Sequence, residues 1–404
     1  MRVPVPALPL LVLGAILRAA PAGSSALPPL EGRVSGELLL AKLPGAPPLR
    51  WSVDLRANNE AGGASQISAE GEGTKLRGEV KVDLRGDGTW RLTSATLDLA
   101  RWRGAFSRWG GTMMDGVVVT GTLSVTGHGT LQHGRPSGEL LVVLRDGEIR
   151  SPSGGWRLTG VSLSGSFALD GDAAGFRSTA PLTLLVQTIT TTRFGARNLG
   201  IYGRLENPST FALSSARLEI AGGDMTVAPC RVELHPFQIE TDVTVNRVGL
   251  QDVAALVPDA LRSAHGRIDG VAHIGWTAAS GFDVGAGHIV LRPDEPAQVT
   301  LRPFPGLFTG NLPTWMLTLP AWLVHWSLPG LRQAELGQIP INASSLQVTF
   351  SPTPDAEGRT AVIRLTGVPD YHIQTPIMLQ TNVRGPLRTF IKLTHANNVS
   401  VGVH

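Results

Sequence analysis

Glu79-Val-Lys-Val-Asp-Leu-Arg85 contains the pattern that decides the fold. Val80, Val82 and Leu84 occupy alternate positions, and the residues between and around them are charged. Because successive side chains of a β-strand point to opposite faces, this alternation predicts a strand with one apolar and one polar face. The segment Gly86-Asp-Gly88 that follows predicts a tight turn into the next strand.

The same alternation, followed by turn residues, recurs along the chain. The 404 residues include 48 Gly and 29 Pro, a composition that favours strands and turns over helices. Asp-Gly pairs at Asp146-Gly147 and Asp170-Gly171 predict hairpin turns. We therefore expect about 20 strands and a mainly β fold. The predicted form is a long, curved, mostly antiparallel open sheet, a β-groove of repeated hairpins, with a few short helices.

Two segments interrupt the strand pattern. Residues 250–257 place apolar side chains at helical spacing before Pro258, which predicts a short amphipathic helix. Residues 312–336 form an apolar segment that contains Trp315, Trp322 and Trp326. This segment is either one or two helices that cover the end of the apolar face, or a cap that contacts the membrane through the three tryptophans.

The N-terminus has the order of a secretory signal. Arg2 precedes an apolar run from Val3 to Leu17, and small residues follow at Ala20-Pro-Ala22 and Ser24-Ser-Ala26. We interpret residues 1–26 as a signal peptide, or as a weak N-terminal anchor if it is retained. The single cysteine, Cys230, is compatible with export because it leaves no thiol pair to oxidise. The predicted location is the periplasm or cell envelope, with membrane association.

Composition and motifs indicate a binding protein rather than an enzyme. Lys and Arg number 35 and Asp and Glu number 32, a formal net charge of +3, so no nucleic-acid partner is expected. Catalytic motifs and metal-ligand spacings are absent from the sequence, and we expect no cofactor. The predicted organisation places an N-terminal β-groove region at 27–238 and a C-terminal β region at 239–404.

The C-terminal region resembles a known family. The segments that carry the resemblance are Thr241 to Val257, Ala264 to Thr277, Phe282 to Arg292, Leu346 to Phe350, Thr360 to Asp370 and Pro376 to Leu387. Together they resemble the AsmA-like envelope proteins of Gram-negative bacteria, and the closing hairpins resemble its YdbH-type branch, whose C-terminal region is labelled a dicarboxylate transport domain. The resemblance implies movement of phospholipid between inner and outer membranes along a β-groove. It also implies envelope membranes and other envelope proteins as partners.

The predicted ligands of the apolar face are the acyl chains of phospholipids. In Arg267 to Trp276 the alternate residues are apolar, and burying each methylene of an acyl chain against such a face contributes about 0.8 kcal/mol. The groove candidates are Val80, Val82, Leu84, Val243, Val245, Ile268, Ile274 and Trp276. The alternative is a structural or adhesive exported β-sandwich or β-solenoid protein without lipid cargo, in which the apolar face packs on itself.

The signal-peptide interpretation predicts cleavage after Ala22 or Ala26 on export. Intact-mass spectrometry of protein isolated from the envelope measures the mature N-terminus directly. Recovery of a chain that still begins at Met1 would contradict cleavage and support a retained anchor.

Overall fold

A computed structural model describes fourteen stretches of the chain. These are residues 32–38, 48–58, 62–83, 87–102, 117–133, 135–151, 155–170, 172–192, 195–252, 261–277, 281–311, 328–351, 359–371 and 376–384. The predicted signal peptide lies outside them. The described residues form 22 strands, and each pairing whose register is resolved is antiparallel, which confirms the predicted mainly β, antiparallel fold.

The strands carry the following bounds in chain order: β1 (Gly32–Leu38), β2 (Leu49–Asn58), β3 (Gly62–Gly71), β4 (Thr74–Val82), β5 (Gly88–Asp98), β6 (Val118–Gln132), β7 (Arg135–Ser151), β8 (Trp156–Asp170), β9 (Asp172–Ser178), β10 (Leu182–Thr191), β11 (Gly195–Asn207), β12 (Thr210–Ile220), β13 (Gly223–Val227), β14 (Cys230–Leu234), β15 (Phe237–Gly249), β16 (Leu261–His265), β17 (Arg267–Thr277), β18 (Gly281–Leu291), β19 (Ala297–Leu301), β20 (Ile341–Phe350), β21 (Arg359–Pro369) and β22 (Ile377–Arg384).

Helical structure is short within the described residues. A 3-10 helix spans Thr309–Asn311 and an α-helix, α1, spans Leu328–Glu335. Helical geometry is also found at residues 250–252, the start of the helix predicted over 250–257, whose remainder lies outside the described residues. Of the apolar segment 312–336, the structure describes residues 328–336, most of them in α1.

The chain packs as two compact units. Among the described residues, unit 1 falls within 1–192, 197–215 and 231–235, and unit 2 within 193–196, 216–230 and 236–404. Each unit has its own cluster of buried apolar side chains. The predicted boundary between 238 and 239 stays a prediction.

In unit 1, strands β1 to β8 pair in sequence order, as the hairpin pattern predicts. The registers align apolar residues across the strands. One such row consists of Trp51, Ala69, Leu76, Ala95, Val125 and Val142. All of its members except half-buried Trp51 are buried, so the apolar face of unit 1 forms a closed hydrophobic core.

One expected hairpin turn is wrong. Asp146-Gly147 lies inside β7, a strand of 17 residues, rather than between two strands. The register with β8 shifts between Leu144 and Gly147, and Asp146 has a φ of 51°. An Asp in the left-handed region followed by Gly fits a β-bulge as well as a hairpin turn, and here the strand continues through it.

A glycine track accommodates a buried tryptophan in unit 1. Trp90 pairs with Gly129, which pairs with Gly138, and the Trp90 indole nitrogen donates a hydrogen bond to the Ser137 carbonyl at 3.0 Å. Trp90 is only 2% exposed. A Cβ on Gly129 would collide with the Ser137 carbonyl oxygen, so the absence of a side chain permits this close approach.

Unit 2 departs from strict sequence order. Strand β15 pairs with β13 and β17, and β18 pairs with β17 and β20. The short β16 and β19 pair with each other, and β19 also pairs with β20. Helix α1 packs Leu331 and Ala334 into the core of unit 2, beside Leu301 and Ile341.

Replacement of Gly129 by Ala should lower the free energy of unfolding of unit 1 by about 2 kcal/mol or more, because the added methyl displaces the β7 backbone. Gly32→Ala is the matched control, since nothing lies within 4 Å of a Cβ added there. Urea unfolding followed by tryptophan fluorescence measures both variants. Equal urea midpoints for the two variants would contradict the expected collision between the added methyl group and the β7 backbone.

Candidate functional site

A row of half-buried apolar side chains crosses unit 2. The registers of β13, β15, β17, β18, β20 and β21 bring together Met225, Val245, Gly270, Ile289, Val348 and Ile363. All except Gly270, which is buried, are half-buried. Compared with the buried row of unit 1, this row keeps part of its apolar surface in contact with solvent.

Further apolar residues extend the same face along β15 and β17. Ile274 lies opposite Thr241, and Trp276 lies opposite Ile239. The Trp276 ring meets Phe237 edge to face, with ring centroids 4.9 Å apart. Ile274, Trp276 and Ile239 are half-buried. We call the set Met225, Val245, Ile274, Trp276, Ile289, Val348 and Ile363 the open apolar face.

The chemistry of the open apolar face is nonpolar. Thr241 of β15 is a polar residue on the same face. Its side chain is only 4% exposed, and its hydroxyl donates a hydrogen bond to the Ala228 carbonyl at 3.1 Å. No member of the face carries a charge. Such a surface binds by the nondirectional hydrophobic effect and suits hydrocarbon chains. An extended, solvent-accessible apolar surface of this kind is typical of a ligand or interaction site.

The core of unit 2 closes one end of this face. Val248, Ile268 and Leu291 are buried at the ends of β15, β17 and β18, and α1 packs on the same cluster. Val245 and Ile289 contact the cluster, whereas Val348, Ile363 and Ile274 are not part of it. The buried residues of this cluster therefore close one end of the face.

A buried carboxylate fastens α1 to the preceding loop. Glu335 is 2% exposed, and its carboxylate accepts hydrogen bonds from the backbone N–H of Phe308 and of Thr309, each at 3.1 Å. The Thr309 hydroxyl donates to the same carboxylate at 2.9 Å. Burial alone would raise the pKa of Glu335, but the hydrogen bonds from Thr309, Phe308 and Gly306 outweigh it and hold this pKa below its usual value.

The opposite face of the same strands carries the charged side chains, and Val271 and Val290 are exposed there as well. His273 on β17 contacts Asp242 at 2.8 Å and Glu240 at 3.1 Å, both on β15. The hydrogen bond to Asp242 is the main cause that raises the pKa of His273, and the hydrogen bond to Glu240 is the second. Farther along the strands, Arg292 pairs with Asp269 at 3.3 Å and with Asp294 at 3.0 Å. Charges are thus confined to the face that points away from the open apolar face.

The predicted groove residues lie in different environments. Val245, Ile274 and Trp276 lie on the open apolar face. Three others are buried and surrounded by protein atoms: Val80 is 2% exposed, Val243 5% and Ile268 4%. Val82 is half-buried against the core of unit 1. Leu84, Trp315, Trp322 and Trp326 lie outside the described residues.

Sequence reasoning missed four apolar side chains of the row, Met225, Ile289, Val348 and Ile363. The signal was present, because Leu346-Gln-Val-Thr-Phe350 alternates apolar and polar residues. That alternation gives a strand with an apolar face, but it does not tell which strand will be its neighbour. Only the registers β18–β20 and β20–β21 place Val348 between Ile289 and Ile363.

The sequence matches the family model described as "YdbH-like: Intermembrane phospholipid transport protein YdbH" over residues 15–271. The match covers more than half of the chain. The chain belongs to the YdbH-like family. Lipid transport is therefore its general function, and phospholipid is the class of cargo that the family implies.

The YdbH-like match covers most of unit 1 and extends into unit 2 as far as β17. Within the segments that carried the resemblance, it includes Thr241 to Val257 and the first part of Ala264 to Thr277. No curated protein and no solved structure matches the chain. Intermembrane transport is an envelope function, so membership of the YdbH-like family supports the predicted envelope location.

The described part of the chain lacks two other features, a metal-binding cluster and a membrane-spanning helix. No cluster of three or more His, Cys, Asp or Glu side chains could hold a metal ion there. Among the same residues, no helix combines the length and hydrophobicity needed to cross a bilayer.

Replacement of Glu335 by Gln should lower the free energy of unfolding of unit 2 at pH 7 by about 1–3 kcal/mol, because the amide cannot match the charge-assisted bonds. The wild-type contribution is complete above the ordinary carboxyl pKa of 4.5 and is lost as the pH falls through the lowered folded-state pKa. Urea titrations between pH 7 and pH 3 should therefore converge for the two proteins at acid pH. A difference in unfolding free energy between the two proteins that stays constant across that range would contradict stabilisation by the ionised Glu335 carboxylate.

Proposed function

We propose that the open apolar face binds phospholipid acyl chains and that the protein passes them between the inner and outer membranes. The observation that carries the proposal is the uncharged, half-buried row from Met225 to Ile363 in a chain of the YdbH-like family. Each methylene removed from water contributes about 0.8 kcal/mol, so a few contacts along the row hold an acyl chain.

The nonpolar character of the face also suits transport. Hydrophobic contact has no preferred direction, so an acyl chain can slide from Val245 toward Ile363 without breaking hydrogen bonds. The closed end at Ile268 and Leu291 gives the face a fixed limit on one side. Entry and exit of lipid then take place at the accessible side, near Ile274 and Val348.

A cargo-free structural or adhesive protein is the second candidate, and one observation favours it. In unit 1 the apolar rows are buried, with Val80 at 2% and Val125 at 0% exposure. This is how the core of a β-sandwich packs. The two candidates differ in whether lipid contacts the apolar face of unit 2, where the side chains are accessible.

Photocrosslinking in intact cells tests the proposal. A photoreactive amino acid at Ile274 or Val348 should give a phospholipid adduct, detected by mass spectrometry of the purified protein, because both side chains lie on the open apolar face. Thr349 is the matched control, since it follows Val348 in β20 but is exposed on the polar face. Adducts should be at least about tenfold more abundant at Val348 than at Thr349.

Absence of adducts at both Ile274 and Val348, or equal yields at Val348 and Thr349, would refute acyl-chain binding by this face. The same probe at buried Val80 asks whether the core of unit 1 also opens to lipid. An adduct at Val80 would extend the groove into unit 1, as the sequence predicts.

A further inference from the structure

Strand β1 has a partner on one side only within the described residues. Its register matches β2, from Gly32 opposite Leu55 to Leu38 opposite Leu49, and no other described strand pairs with it. Gly32 to Glu37 are exposed on both faces of the strand, and Val34 is 49% exposed. Among the described residues, the other edge of β1 presents a row of backbone N–H and C=O groups to which another strand can bind.

The sequence of β1, Gly32-Arg-Val-Ser-Gly-Glu-Leu38, is complementary to itself. Antiparallel pairing of two copies about a twofold axis at Ser35 places Arg33 of each copy opposite Glu37 of the other. A twofold axis perpendicular to the sheet keeps each side chain on its own face, so the axis must pass through a residue. Ser35 is the centre that pairs all seven residues.

The charges favour this register. Glu37 makes no ion pair with any described residue, although Arg50 lies opposite it in β2. The Arg33 side chain is 67% exposed and meets Asp54 at 3.4 Å. Opposite charges directly across an antiparallel pair are stabilising, and like charges are destabilising. An edge strand whose charges were all of one sign would repel a second copy of itself. In β1 the opposite charges of Arg33 and Glu37 attract each other across the pair instead.

The apolar face gains a contact in the same register. Val34 of one copy lies opposite Gly36 of the other, and Gly36 has the Trp51 ring against its own face, 3.1 Å from the position of a Cβ. The Trp51 ring therefore covers Gly36, and the exposed Val34 side chain of the other copy lies beside that ring.

We propose that β1 pairs antiparallel with β1 of a second copy of this chain, centred on Ser35. The contact is isologous, since the same seven residues serve both copies. It joins the apolar face at β1 to that of the second copy. The proposal is independent of lipid binding by unit 2, because it rests on residues of unit 1 alone.

Disulfide crosslinking of the full-length chain tests the register. Ser35→Cys is made in a Cys230→Ser background, which removes the single natural thiol. Residues directly opposite in an antiparallel pair have Cα atoms about 4.5–5.5 Å apart, within the range a disulfide spans. Mild oxidation should convert at least half of the protein to a species of twice the chain mass. Thr89→Cys in the same background is the control, an exposed residue of β5 with partner strands on both sides.

Charge reversal tests the partner. Glu37→Arg or Arg33→Glu alone should reduce the Ser35→Cys crosslink at least fivefold, because each places like charges opposite each other twice. Mixing the two variants should restore it, as an Arg pair then meets a Glu pair. Glu37→Arg breaks no described ion pair, and circular dichroism confirms that both variants fold.

Three outcomes would overturn the proposal. These are equal crosslinking at Ser35 and Thr89, crosslinks that survive both single reversals unchanged, and a Ser35 crosslink to a different protein without self-crosslinking. Restoration in the mixed sample supports it specifically, since a partner of another sequence would not respond to both reversals in this reciprocal way.

Discussion

Cross-strand register is the constraint on which the rest of this structure depends. Side chains alternate between faces with a period of two, so a shift of one residue in any pairing would exchange the apolar and polar faces of a strand. The chain keeps its apolar residues aligned through successive pairings, and register shifts are taken up at bulges such as the one at Asp146. Leu76 next to Ala95, and Ile289 next to Val348, are consequences of that alignment.

The same principle leads to different results in the two units. In unit 1 the aligned side chains are almost completely buried, and Trp90 fills the core over the glycines of β6 and β7. Such a core resists change because interiors are packed close to crystal density. In unit 2 the aligned side chains are half-buried, and buried residues and α1 close one end of the face. In the proposed function, unit 1 is a stable scaffold and unit 2 supplies the apolar surface that an acyl chain can reach.

Polar chemistry is placed where it does not compete with the apolar face. Polar side chains of β15 and β17 pair with each other on the opposite side, as His273 does with Asp242. Glu335 is the exception, a buried carboxylate whose oxygens are occupied by donors from the loop at 306–309. Burial of an ionised group is tolerated there because several hydrogen bonds compensate for lost hydration. Its effect is to fix α1, and hence the closed end of the face.

The sequence by itself determined the class of fold and the chemistry of its faces. Alternation such as that of Val80 and Val82 is local, and a period of two specifies a one-sided strand whatever its neighbours are. The family resemblance followed from the sequence as well. Only the tertiary structure decided which apolar residues are covered. Val80, Val243 and Ile268 have the same pattern as Val245 and Ile274, but burial depends on what packs above each residue, which is a long-range property. Strand β20 pairs with β18 although β19 lies between them in the chain, so the contact of Val348 with Ile289 is nonlocal for the same reason.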